Sequence, residues 1–523
     1  MRRVTRLLTF VFLAFASSCA SAQVAKHTEG AAPKLNVVLM LADDMGYADI
    51  NAFGGRFGYT PHLDQLAASG MTMTQFYSAC AVCSPTRAAL LTGRYPLANG
   101  IDGHFPDKPS TFLRDQTRPD GGYGTLPGIL KEQGYATMHI GKWHLGGITL
   151  VELNHRAAGE GEYVKNQGPH EHGFDQYIVS QEDASTRVRS GLIRSRQLYQ
   201  NATKHLIIND VYEHKPDATR DWQAYKGDAA AAFIAKNVQA GEPFYLNLWF
   251  DVPHMPYEDA HIPAEFHFDT LSKVHDKKLG RMRHVLNTKS LGEKRHEDHT
   301  CFLGMVTYLD HQVGRVIAAL NDPNGDGDMS DSIADNTLVI FASDNGGAWP
   351  GDNGVFASGK ASIREGGIRV PMMVALPGKI APGTESSQIG NTIDFMPSIF
   401  KMVGMDGPPQ GVTVDGIDLS PVWIGAASEI NRGTMFSDLR TRYNPQRDGP
   451  HPDPKGHLIA LRGDLKVIFK SKGDIIPVAL YDLSRDASET TNLVQDPAHA
   501  ATIDAMTQEA KAWVTSMQEA SSR

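Results

Sequence analysis

The chain has 523 residues, 41% of them hydrophobic and 21% charged, which is enough apolar content for a large core spread over two or three structural units. Its formal charge of -9 and the lack of a clustered basic tail argue against a nucleic-acid partner, because phosphate neutralisation needs a concentrated positive face. At the N-terminus, Arg2, Arg3 and Arg6 precede the apolar run Leu7 to Ala16 and the small residues Ala20-Ser21-Ala22. This pattern reads as a secretory signal peptide over residues 1–22 and predicts export to the periplasm or beyond the cell. A lipoprotein anchored through Cys19 is the minor alternative, since Ala16 stands where a lipobox carries an aliphatic residue. No later stretch is apolar for long enough to span a bilayer.

Removal of that leader leaves Cys80, Cys83 and Cys301, so disulfides do not build the fold and at least one thiol is left over. Cys80 and Cys83 form a C-x-x-C pair. Zinc would require two further ligands at suitable spacing, while a redox pair stays open on spacing alone.

Along the chain a short apolar run is repeatedly followed by a polar cluster and then a helical pattern. Leu35 to Ala42 runs into Asp43-Asp44, and Ala136 to Ile140 into Gly141-Lys142-Trp143-His144. Tyr245 to Phe250 leads to Asp251 and His254, and Asn336 to Ser343 to Asp344-Asn345-Gly346-Gly347. Continuous apolar runs of this kind fit a mostly parallel sheet covered on both faces, whose ligands gather at the carboxyl ends of the strands. The expected fold class is therefore α/β: a large, mostly parallel sheet sandwiched by helices, over residues 33–430. One helix is predicted with Thr60 as cap, Pro61 in its first turn, Leu63, Leu66 and Ala67 on its apolar face and Gly70 as its stop. Leu309, Val313, Val316 and Leu320 mark another apolar stripe. From 431 to 523 the pattern changes to short strands, Leu458 to Leu461, Leu465 to Phe469 and Ala479 to Leu483, closed by a helix carrying Ile503, Met506, Trp513 and Met517. This reads as a smaller C-terminal α+β subdomain with a small antiparallel sheet.

The segment Cys83-Ser84-Pro85-Thr86-Arg87, running on to Thr92-Gly93-Arg94, places Ser84 and Pro85 at the cap and first position of a helix that ends at Gly93. Cys83 then sits at the amino end, where unpaired N–H groups favour negative charge, with Arg87 one turn along.

The C-x-P-x-R motif and its T-G-R tail resemble the signature of the type I, formylglycine-dependent sulfatases of the alkaline-phosphatase-like superfamily. The segments GKWHLG, SDNG and GGIRVP match in order. The resemblance implies that a formylglycine-generating maturation enzyme oxidises Cys83 to an aldehyde. It implies calcium held by Asp43, Asp44, Asp344, Asn345 and the modified Cys83. It also implies that a hydroxyl of the hydrated aldehyde attacks sulfur after losing its proton to Asp344, with Arg87, Lys142 and Lys360 around the sulfate. His254, assisted by Lys360, would protonate the departing alcohol, and His144 would deprotonate the second hydroxyl to expel sulfate. A sulfated carbohydrate is the expected substrate. Small aryl sulfates, phosphate or phosphonate esters, and an unconverted carbohydrate-binding protein are the alternatives.

Two further features fall outside this set. Asp322 to Asp328 begins like a calcium loop, but Ile333 stands at its twelfth position. The basic runs Arg187 to Arg196 and Lys273 to Arg295, like His104 and the loop from Leu150 to Arg220, are candidate substrate contacts or a solvated face.

Overall fold

Four apolar runs become the centre of one sheet in the computed structural model: β1 (Asn36–Ala42), β4 (Ala136–Lys142), β6 (Phe244–Trp249) and β7 (Thr337–Ser343). Between them lie the short strands β2 (Met71–Met73) and β3 (Phe76–Tyr77) and the edge strand β5 (Gln176–Ser180); β8 (Met372–Ala375), β9 (Thr384–Ser386) and β10 (Gly390–Asn391) follow. The sheet order is β5-β4-β6-β1-β7-β8-β2-β9. Pairing is parallel from β5 through β7 and between β2 and β9, and antiparallel where β8 meets β7 and β2. The structure describes residues 33–101, 103, 118–145, 168–180, 222–255, 257, 263–267, 293–439, 457–470 and 474–522. The leader, Cys19, His104, most of the 150–220 loop and nearly all of both basic runs lie outside the described residues.

β1 shows why its sequence is continuously apolar. Val38, Met40 and Ala42 enter one core, and Val37, Leu39 and Leu41 enter the other, all fully buried. Burying each large aliphatic contributes roughly 1.5–3 kcal/mol, so either face alone would hold the strand in register. On the first face pack α1 (Pro61–Ser69), α3 (Trp222–Ala240) and α4 (Glu293–Asn321); on the second packs α2 (Cys83–Thr92). Leu63, Leu66, Ala67, Leu309, Val313, Val316 and Leu320 are core residues, as their spacing predicts.

Two capping expectations fail. Thr60 gives no side-chain cap to α1; its hydroxyl instead accepts from Asn51 N at 3.2 Å, tying back the preceding loop. Helix α2 begins at Cys83 and not after Ser84, its N-cap being the extended Val82. Thr86 stabilises that earlier start, donating to Cys80 O at 2.9 Å and accepting from Cys80 N at 3.2 Å.

The C-terminal strands form a four-stranded antiparallel sheet of β11 (Met435–Asp438), β12 (Leu458–Arg462), β13 (Leu465–Lys470) and β14 (Ile476–Asp482). Helix α6 (Ala500–Ser522) packs on it through Ile503 and Met506, while Trp513 stacks on Phe436. Both sheets belong to one compact unit, residues 34–523. No described helix is long and apolar enough to cross a membrane.

Candidate active site

Parallel register brings the ends of β1, β4, β6 and β7 level: Ala42 lies beside Ser343, and Leu41 and Gly141 both lie beside Trp249. The next residues therefore emerge together at the carboxyl edge. Gly141 permits this approach, because at φ 106° an added Cβ would stand 1.7 Å from Trp249 O. Asp44 adopts φ 65° and His144 φ 55°, unusual for non-glycine residues and characteristic of constrained sites.

The amino end of α2 meets this edge. Cys83 Sγ lies 3.4 Å from Asp43 Oδ1 and 3.9 Å from Asp44 Oδ1, with Lys142 Nζ at 3.8 Å and Lys360 Nζ at 3.6 Å. Arg87 donates through Nε and Nη2 to Asp344 Oδ2 at 3.0 and 2.6 Å and through Nη1 to Lys142 O at 2.9 Å. Its guanidinium lies over the Trp249 ring. Lys142 Nζ reaches Asp43 Oδ2 at 2.5 Å, and Lys360 Nζ reaches Asp44 Oδ1 at 2.7 Å. Three carboxylates thus face three fixed cations in a volume almost closed to water.

His254 follows β6. Its Nδ1 donates to Met255 O at 2.7 Å, which leaves Nε2, 3.5 Å from Asp44 Oδ2, as the nitrogen that can exchange a proton. His144 is buried two residues beyond Lys142.

Burial alone would raise all three carboxyls, but the balance differs at each. Lys142, His254 and Arg87 hold Asp43 well below its ordinary value, and Lys360 and His254 lower Asp44. Asp344 goes the other way, raised by burial and then by the Asp43 charge despite Arg87. It is the most basic carboxylate of the three. Burial and then Asp344 push the Cys83 thiol well above its usual range. Reactive and redox cysteines need a lowered value, so this thiol is a poor nucleophile as it stands. Cys80 Sγ contacts Asp438 O at 3.5 Å, whereas Cys83 Sγ faces Asp43.

Asp43, Asp44, Asp344 and Cys83 offer donor atoms all within 4.8 Å of one another. Asn345 Nδ2 donates to Asp44 Oδ1 at 2.8 Å, while its buried Oδ1 has no hydrogen-bond partner among the described residues. An orphaned amide oxygen beside three carboxylates suits a hard, oxygen-seeking divalent cation. The loop at 322–328 lacks such a signature: its carboxylates accept from the loop's own backbone N–H groups, as Asp322 does from Gly325 and Gly327.

Sequence reasoning missed three groups here. Lys226, fully buried on α3, pairs with Asp251 next to the His254 turn. His139, three residues before Lys142 on β4, is buried among Trp143, Phe174 and Trp249. Glu365 pairs with Lys466 from the C-terminal part, and Lys466 pairs in turn with Glu489. Lys226 and Glu365 are distant in sequence from their partners, and no local pattern marks any of the three.

The family model described as Sulfatase matches residues 35–405, and that described as N-sulphoglucosamine sulphohydrolase, C-terminal, matches residues 351–515. The chain is 31% identical over 416 residues to N-acetylgalactosamine-6-sulfatase of Canis lupus familiaris, covering 76% of this chain and 67% of that protein. It is 27% identical to a protein named Sulfatase of Formosa agariphila, covering 98% of this chain and 94% of that one. Among solved structures, the PsFucS1 sulfatase from Pseudoalteromonas sp. shares the fold at TM-score 0.64 and 20% identity, over 93% of this chain and 91% of that one.

Proposed function

Because this chain belongs to the sulfatase family of sulfuric ester hydrolases, we propose that it removes sulfate from a sulfated carbohydrate. The proposed nucleophile is formylglycine made from Cys83, and the proposed metal is calcium held by Asp43, Asp44, Asp344 and Asn345 together with residue 83. The observation that carries this reading is the convergence of Cys83 with three carboxylates and three fixed cations at the amino end of α2.

The electrostatics support the reading. The three cations balance the three carboxylates, so a divalent cation would leave the cavity positive, one unit of charge being offset by the monoanionic sulfate ester and both by the sulfate dianion that is released. Calcium would supply positive charge to sulfate oxygens and to the oxygen of residue 83. The hydrated aldehyde would supply a hydroxyl nucleophile, and a second hydroxyl for sulfate release that serine or cysteine lacks.

The side chains have distinct tasks. Asp344, the most basic carboxylate, accepts the proton of the attacking hydroxyl, and Arg87 keeps its oxygen oriented. Lys142 and Lys360, each within 4 Å of Cys83 Sγ, stabilise charge on the sulfate oxygens. His254 Nε2 donates to the leaving alcohol, assisted by Lys360, and His144 receives the proton of the second hydroxyl.

For the substrate, the support is the relative that is named an N-acetylgalactosamine-6-sulfatase, together with the exposed Met255 and Trp349 on the segments beside His254 and Lys360. Apolar surface of this kind suits the CH face of a pyranose. The test is sulfate release from N-acetylgalactosamine 6-sulfate and other sulfated sugars by protein with converted Cys83 and calcium. Turnover of a sulfated sugar well above 4-nitrophenyl phosphate supports the proposal. Preference for 4-nitrophenyl phosphate sinks it, and activity on 4-nitrophenyl sulfate alone restricts the enzyme to small aryl esters.

A further inference from the structure

Lys360 is held by an unusual piece of backbone. Ser358 and Ala361, on either side of it, adopt φ 66° and φ 65°, a left-handed conformation that residues with a Cβ occupy only when their surroundings impose it. The surroundings are tight. Lys360 N donates to Gly347 O at 3.2 Å and Ala361 N to Ala81 O at 2.9 Å. The short helix α5 (Glu365–Ile368) closes back on the same turn, with Gly366 N donating to Ala357 O at 2.9 Å. There is no slack: a Cβ on Gly366 would lie 2.3 Å from Ser358 O, and one on Gly367 2.5 Å from Gly359 O.

α5 is in turn gripped by the C-terminal sheet through a fully buried charge network. Lys466 Nζ, on β13, lies 2.8 Å from Glu365 Oε1 and 2.9 Å from Glu489 Oε1. Glu489 Oε2 accepts from Glu365 N at 2.8 Å. Tyr77 donates to Glu365 Oε2 at 2.9 Å, and Arg369 Nη1 lies 3.2 Å from the same oxygen. Glu489 itself stands at φ 53°. Two cations and two carboxylates are therefore paired across the junction of the two sheets, Glu489 Oε1 by ion pairing with Lys466 and not by a hydrogen bond, and charges buried and paired in this way restrict the arrangement.

We propose that Lys466, with Glu489, is a positioning residue for the active site: through Glu365 and α5 it holds the strained turn that aims Lys360 at residue 83. The C-terminal sheet is then part of the catalytic device, although Lys466 touches neither substrate nor nucleophile. The turnover readout rests on the sulfatase reading; the exchange readout does not.

The experiment is a double-mutant cycle on kcat/KM for 4-nitrophenyl sulfate, well below the melting temperature, with Lys466→Met, Lys360→Ala and both together. Glu489→Gln, which preserves volume, runs through the same cycle and serves if Lys466→Met fails to fold. The proposal expects Lys466→Met or Glu489→Gln to lower kcat/KM at least about tenfold in the native background, but less than about twofold where Lys360 is already absent. Residues that act through one another are not additive, whereas loss of folded protein alone would give the same factor in both backgrounds. Equal factors, or no loss in either, overturn the proposal. Amide hydrogen exchange provides the second arm: in either variant, exchange across 358–362 should quicken while α2 stays protected. Unchanged exchange there also overturns it. If the native protein with Cys83 converted releases no sulfate from any ester, the sulfatase reading has failed, and exchange still decides whether Lys466 holds the turn.

Discussion

His139 should make the fold sensitive to acid in a way that can be calculated. Its ring is fully buried on β4, three residues before Lys142, with Asn247 Nδ2 3.0 Å from Nδ1 and with Nε2 lacking a hydrogen-bond partner among the described residues. Burial, and then the charge of Arg87, hold its value down to about 3 from an ordinary 6.5. The folded protein therefore keeps this histidine neutral while the unfolded chain takes up a proton below pH 6.5, so stability is complete above 6.5 and is lost as pH falls toward 3. At about 1.4 kcal/mol per pH unit the full loss is about 5 kcal/mol, of which about 2 kcal/mol is gone by pH 5. His139→Asn keeps an acceptor near the Nδ1 position and carries no charge at any pH, so its packing cost is a constant offset. Urea unfolding of both proteins at pH 7 and pH 5 should show the native protein losing about 2 kcal/mol more than the variant. Equal losses would refute the reasoning.

Other expectations concern the site. Chelation of divalent cations should lower the melting temperature, and calcium at about 100 times its dissociation constant should restore about 2.7 kcal/mol; Asn345→Ala should weaken that response, and no response to calcium would contradict the assigned ligands. His254→Ala should slow release from a sulfated sugar by about 10² to 10⁴-fold and from 4-nitrophenyl sulfate much less, because a good leaving group needs no proton. Equal losses on the two substrates would remove its role as acid. Arg87→Lys keeps the charge but cannot serve Asp344 twice and the Lys142 carbonyl once, so kcat/KM should fall by about 10²-fold. Activity within about threefold of the native enzyme would count against that orientation role.

Much of this architecture is legible in the sequence because its signals are local. The runs ending at Ala42, Ile140, Trp249 and Ser343 are mostly apolar since both faces are covered, and the residues after them converge because parallel strands end together. The antiparallel insertion of β8 between β7 and β2 is not legible: β2, β8 and β9 span three or four residues, too few to display a period. β11 escapes notice for the same reason. The start of α2 is displaced because Thr86 satisfies Cys80, a contact that capping preferences alone do not foresee. Lys466 is least legible of all. A lysine between Leu465 and Val467 reads as the solvent face of a half-buried strand, and only the fold brings Glu365 and Glu489 to it.

The most direct test of the account is the mass of the peptide containing Cys83, from protein produced together with a formylglycine-generating enzyme and treated with an aldehyde-trapping reagent. The account expects a mass about 18 Da below that of the cysteine peptide, and a trapped adduct on residue 83 that appears in step with sulfate release. An unmodified thiol in protein that nevertheless hydrolyses sulfate esters would contradict it.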